Sequence, residues 1–295
     1  MTQTSVRPNE SVRAPQVHIG RTRGRSSRGL VLDMLIVLAA IAFISPFLFT
    51  LLASFRTAGD LARAPLGLPR ELTIDNYITA VKQIRYLPSA LNTILLTVAS
   101  CVAVSIIGSM AAYPLGRMTS HLSSFVYRLF MIGLTVPVFV LIAPLYLLMR
   151  DLGLLNTHLG LVIIYTALNL PVAVFFYTSF VRQIPEDLEE AAALDGCGPI
   201  RTFFLIVFPL MRPVTGTLLT FVSLQVWNNL AIPLVFLQDP DKSTVMANAY
   251  TFADPRTLQP IQLFPAALLG ALPLFILFVV FQRQVVQGMT QGAVK

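Results

Sequence analysis

Residues able to do chemistry are few in this chain, and most stand apart from one another. His18, His121 and His158 are scattered, and Cys101 and Cys197 have no near neighbours of their kind. A metal site or a disulfide framework needs closely spaced or multiple ligands, so neither is expected. The sequence holds no Gly-x4-Gly-Lys-Ser/Thr phosphate loop, no His-Glu-x-x-His and no Gly-x-Ser-x-Gly. Catalysis within this chain is therefore not expected. What does concentrate is acid: Glu186, Asp187, Glu189, Glu190 and Asp195 fall within one short polar segment, 182–213. Two amide-bearing spots lie in apolar runs, Asn169 beside Pro171 and the triplet Trp227-Asn228-Asn229. Polar groups at membrane depth are costly unless they face a cavity or another helix, so these residues could line a path. Asparagines at membrane depth serve equally well as packing between helices. Both readings stand at this level.

The elements that must carry these residues follow from composition. The chain has 295 residues, 55% hydrophobic and only 12% charged, with a mean hydropathy of +0.73. A soluble domain carries about 25% charged residues because its surface must face water. Here the missing polar surface is expected to face lipid. Six apolar stretches are long enough for a helix to cross roughly 30 Å of hydrocarbon: 30–55, 91–115, 125–148, 159–181, 214–237 and 264–281. The first outruns a signal-peptide core and lacks a small-x-small cleavage site. The predicted fold class is an all-α membrane protein with six transmembrane helices.

Orientation is read from positive charge. Arg7, Arg13, Arg21, Arg23, Arg25 and Arg28 precede the first apolar run, in a segment, 1–29, with no apolar period. A basic tail can bind nucleic acid, but one that abuts a span reads more simply as an anchor obeying the positive-inside rule, and no nucleic acid is expected as a partner. With that tail inside, thirteen of the 21 lysines and arginines are cytoplasmic, which places both termini in the cytoplasm.

The 182–213 segment then lies inside, and it is the most informative stretch. Pro185 suits the first turn of a helix, and the acids after it meet the positive end of the helix dipole. Gly196 is placed to cap that helix, and a second begins after Gly198 and Pro199. A helix so short is unstable alone. Helices that lie on headgroups favour lysine and arginine, whereas this one is acidic, with small residues at Ala191, Ala192 and Ala193. A protein groove is the better partner.

The spacing resembles the signature loop of permease subunits in binding-protein-dependent ABC importers: Glu-Ala-Ala, three residues, Gly, nine residues, Ile-x-Leu-Pro. Here it is met by Glu190, Ala191, Ala192, Gly196, Ile206 and Pro209, with Phe208 in place of the leucine. Similarity to the maltose-type sugar permeases is added by Pro144-Leu145-Tyr146, the run from Gly153 to Thr157, Asn169-Leu170-Pro171, Trp227-Asn228-Asn229 and the tail from Gly288 to Gly292. The resemblance covers 30–295 and implies a type I ABC importer permease bundle in a bacterial cytoplasmic membrane. It implies a second permease subunit, an ATPase dimer that binds the ATP and Mg, and an extracytoplasmic sugar-binding protein. Glu189, Glu190, Ala191, Ala192, Asp195, Gly196, Ile206 and Pro209 become the expected coupling surface, and Asn169 and Trp227 to Asn229 the expected sugar path. A permease for a polyol, glycerol phosphate or an amino acid would share the same loop. A secondary transporter would instead carry mid-span carboxylates, which the later five stretches lack.

Overall fold

The computed structural model describes residues 27–253 and 260–291. The tail arginines up to Arg25, and Gly292, used above for orientation and likeness, lie outside them, as do Arg256 and Lys295 from the count of 21. The chain divides into two units, 1–48 and 49–295.

The described part of the first unit is the beginning of α1 (Ser27–Ser54), whose apolar side chains point outward all round the helix. Met34 is 67% and Phe43 75% exposed. A helix apolar on every side needs an apolar solvent, and the 24 residues of Val31–Ser54 reach about 36 Å at 1.5 Å per residue, enough to cross a bilayer core.

In the second unit, the connection after α1 folds into α2 (Ala58–Arg63) and α3 (Asp75–Gln83). The core is built by α4 (Tyr86–Arg117) and α7 (His158–Val181), which run side by side in the same direction. Their contact is set by glycine. A Cβ at Gly108 would meet Ala173 Cβ at 2.7 Å, and one at Gly116 would meet Val181 Cγ1 at 2.7 Å. Small residues let helix backbones approach closely, which drives association where lipid removes the hydrophobic incentive. Against this pair packs α11 (Arg212–Trp227), burying Leu218, Val222 and Val226 among Val104, Ile164, Tyr165 and Tyr177.

Between α4 and α7 come α5 (His121–Gly133) and α6 (Val138–Asp151). The sequence predicts one span here, 125–148; the structure shows two helices meeting at 103°. Pro137, the N-cap of α6, removes a backbone donor and turns Val136 away from helical geometry. Pro171 has no such effect: α7 passes through it unbroken, its ring standing 3.1 Å from where a Gly133 Cβ would lie.

The predicted fifth span, 214–237, is also interrupted. After α11 the chain breaks at Asn228 to Leu230 and restarts as α12 (Ala231–Phe236), the Asn229 Oδ1 accepting the Ile232 N–H at 2.9 Å. Three described helices are long and apolar enough to cross a membrane, and five spans result if α5 with α6, and residues 199–210 with α11, each count as one. A short α13 (Val245–Ala249) follows α12, and the last expected span falls in α14 (Pro260–Gln291). Among the described residues there is no strand, only an isolated bridge between Arg56 and Leu72. The chain is an all-α multi-pass membrane protein.

Candidate functional site

The acidic segment sits at the C-terminal end of α4. After α7, Ile184 turns inward and is buried, and the chain starts α8 (Asp187–Leu194) with Glu186 as its N-cap. Gly196, at φ +81°, closes it. The Gly196 N–H reaches Ala193 O at 3.0 Å and the Cys197 N–H reaches Ala192 O at 2.9 Å. That is the paired-bond ending in which a left-handed residue satisfies the last carbonyls.

Beyond the cap, Gly198 leads into α9 (Pro199–Thr202), a π-turn (Phe203–Val207) and α10 (Phe208–Leu210). The widened turn has a cause. Pro209 lacks an N–H and its ring would strike the Leu205 carbonyl, so the preceding bond runs from Phe208 N–H to Phe203 O, five residues back. Ile206 lies in this turn, and a 73° bend at Met211 then redirects the chain into α11.

Within α8 the carboxylates do not share a direction. Glu189 points to its own chain: Oε2 accepts from Tyr113 Oη at 2.6 Å, and Oε1 accepts from Arg117 Nε at 2.8 Å and Nη2 at 2.6 Å. Arg117 Nη2 also donates to Ile184 O at 2.9 Å. Asp187, Glu190 and Asp195 are exposed, as are Ala191 and Gly196, while Ala192 is buried. Leu194, Ile200, Phe204 and Leu205 are exposed apolar residues on the same loop, the last three lining a shallow hollow with Arg201. Tyr113 and Arg117 were not anticipated. Their four-residue spacing at the end of a span, which puts both on one helix face, is the signal that could have found them.

The amide-bearing residues are placed on separate elements. Asn169, buried on α7, donates to Tyr165 O at 2.8 Å; Trp227, buried at the end of α11, donates its Nε1 to Gly270 O at 3.0 Å. Asn228 is exposed and donates to Leu224 O at 3.1 Å, and Asn229, just before α12, accepts the Ile232 N–H. Among the described residues, no three His, Cys, Asp or Glu come together as a metal site.

The family of binding-protein-dependent transport system inner membrane components matches residues 104–291. A diacetylchitobiose uptake system permease protein of Streptomyces coelicolor is 32% identical, over 88% of this chain and 86% of its own length. A melibiose/raffinose/stachyose import permease protein of Bacillus subtilis is 33% identical, over 90% of this chain and 96% of its own. The crystal structure of a bacterial ABC transporter that imports the polysaccharide alginate contains a chain of the same fold, with a TM-score of 0.72 at 22% identity, covering 88% of this chain and 98% of that one. With the family match spanning well over half its length, this chain belongs to the binding-protein-dependent transport system inner membrane components.

Proposed function

We propose that this chain is the transmembrane subunit of an ATP-driven importer that moves a mono- or oligosaccharide into a bacterial cell by alternating access. The observation that carries the reading is α8: a short helix at the end of a core span, capped at Gly196, presenting acidic and apolar side chains outward. Exposed apolar clusters rimmed by charge mark protein contacts. The partner is an ATPase dimer that binds ATP and Mg, docking on Glu190, Ala191, Asp195 and Gly196, with Ala192 packed inward. Ile206 and Pro209 shape the bent connection that joins this contact to α11. A second permease chain and an extracytoplasmic sugar-binding protein complete the importer, with α8 and both termini on the cytoplasmic side of the cell membrane.

The substrate class is supported by the relatives, whose names specify oligosaccharides. Of the amide-bearing set, Asn228 alone is exposed, and we assign it the sugar contact; Trp227 ties α11 to α14 beside it, while Asn169 and Asn229 bond to backbone of their own segments. The test is reconstitution in proteoliposomes with co-expressed partner chains and a panel that includes diacetylchitobiose and raffinose. ATP-dependent accumulation of a panel sugar is the expected result. An absence of accumulation for every sugar, with no ATPase chain co-purifying, would overturn the assignment.

A further inference from the structure

The geometry points to a division of labour within the acidic cluster: Glu189 is a positioning residue that clamps α8 to α4, through Tyr113 and Arg117, and carries its displacement into the span. This rests on the importer reading and refines it by direction, since Glu190, Asp187 and Asp195 face out and Glu189 faces in.

Glu189 is 17% exposed and Arg117 15%. The two Arg117 bonds to one carboxylate oxygen, together with the Tyr113 hydroxyl on the other, fix the carboxylate in place. Charge-assisted bonds of this kind are short and directional. Arg117 adds a bond to Ile184 O and approaches Glu186 at 3.9 Å, so a single guanidinium gathers the whole N-terminal turn of the loop helix. The Tyr113 ring meets Phe203 at 5.3 Å, which brings the π-turn into the same contact.

An eight-residue helix has little rigidity of its own. Motion imposed on it reaches the spans only through contacts of fixed geometry. α4 is suited to receive it: locked to α7 at Gly108 and Gly116, it runs 32 residues, about 48 Å, to the opposite face. There Asn92 donates to Asp241 O at 2.7 Å and Ser243 O at 3.1 Å, and Thr93 Oγ1 accepts the Val245 N–H at 3.1 Å. A continuous chain of bonded, packed groups thus joins α8 to the segment 241–245 at the far end of α4.

The test uses the whole importer in proteoliposomes, with spin labels at Leu188→Cys, on α8 outside the residues assigned to docking, and Met110→Cys, and the native thiols removed as Cys101→Ser and Cys197→Ser. Wild type is expected to give one narrow distance. Glu189→Gln is expected to broaden it, and to lower sugar accumulated per ATP hydrolysed by on the order of tenfold, the population shift that follows loss of a partly buried charge-assisted contact. The ATPase chain should still co-purify. Glu189→Asp should fall between the two, and Tyr113→Phe and Arg117→Lys carry both readouts if Glu189→Gln does not insert. An unchanged distance distribution overturns the clamp. A broadened distribution with unchanged sugar per ATP overturns its role in transmission, and loss of the ATPase chain from Glu189→Gln would move Glu189 to the docking surface instead. If wild type itself shows no ATP-dependent uptake, the importer reading fails, and the distance measurement still decides the clamp.

Discussion

Arg56 Nε donates to Asp60 Oδ2 at 2.9 Å, and this pair is more enclosed than the one between Arg117 and Glu189, with Arg56 only 1% exposed. Arg56 Nη2 also reaches Asp60 O at 2.8 Å and Ala64 O at 2.7 Å, while Nη1 reaches Pro65 O at 3.2 Å. The Asp60 carboxylate accepts in addition the Arg70 N–H at 3.2 Å. One arginine therefore organises the loop around α2, much as Arg117 gathers the loop around α8. Each sits near the end of a span, where a guanidinium largely shielded from solvent can reach loop and helix-end carbonyls.

The first prediction concerns acid. The Arg56 side chain, and after it the Arg70 N–H, hold the Asp60 carboxyl below the usual aspartate value. A carboxyl whose folded pKa is depressed contributes stability above its unfolded value, about 3.9, and loses it as pH falls through the folded value. The thermal midpoint of the detergent-solubilised chain should fall on acidification below about pH 4. Asp60→Asn should be less stable than wild type at neutral pH, because it leaves Arg56 buried without a carboxylate. It should then show a smaller further loss in acid. Equal acid losses in the two proteins would refute this account.

Gly108 and Gly216 make a matched pair for the helix core. A Cβ at Gly108 meets Ala173 at 2.7 Å, whereas one at Gly216 meets nothing within 4 Å. Gly108→Val forces α4 and α7 apart and should cost about 1–3 kcal/mol, the usual range for overpacking. Gly216→Ala removes backbone freedom from an exposed position inside α11 and should gain roughly 0.5–1 kcal/mol. Thermal midpoints of the isolated chain would check both, and a Gly108→Val chain as stable as wild type would mean that the two helices do not pack as described.

Trp227 and Asn228 are adjacent but should fail differently. Trp227→Phe gives up the bond to Gly270 O at the join of α11 and α14, which should cost about 1 kcal/mol of stability and leave sugar preference unchanged. Asn228→Ala removes an exposed amide and should raise the KM for the imported sugar while leaving the thermal midpoint in place. If instead the tryptophan variant alters preference among sugars, the indole is a stacking surface and the two roles are reversed.

How much of this was legible in the sequence depends on whether a feature is local. Apolar runs locate α1, α4, α7 and α14 well, because a lipid-facing helix announces itself by length. The α8 cap was legible too, since the acids and Gly196 each act within a turn or two, although Pro185 falls just before the N-cap, Glu186, instead of in the first turn. The 103° break after Gly133 was not: hydropathy averages across 125–148 and stays high, and a proline such as Pro137 reads no differently from Pro171, which α7 tolerates. The direction of Glu189 was equally hidden. It stands among Glu186, Asp187 and Glu190, and only the fold brings Tyr113 and Arg117 from 76 and 72 positions away to choose it.

The cap at Gly196 offers the sharpest separation of folding from coupling. Its φ of +81° is one that L side chains rarely adopt, yet a Cβ there would meet nothing within 4 Å. Gly196→Val therefore introduces strain without a clash, of about 1–2 kcal/mol. That strain opens the bonds from Gly196 N–H to Ala193 O and from Cys197 N–H to Ala192 O, fraying the end of α8 that faces its partner. Gly153 supplies the control, with φ +69° and the same open space, in the turn between α6 and α7. Gly153→Val should lower the thermal midpoint by a similar amount and keep ATP-driven uptake. Gly196→Val should insert normally and lose uptake while ATP hydrolysis continues, and Gly196→Asn, which tolerates the left-handed region, should retain most of it. Equal uptake by the two valine variants would show that the strain, rather than its place on α8, is what matters.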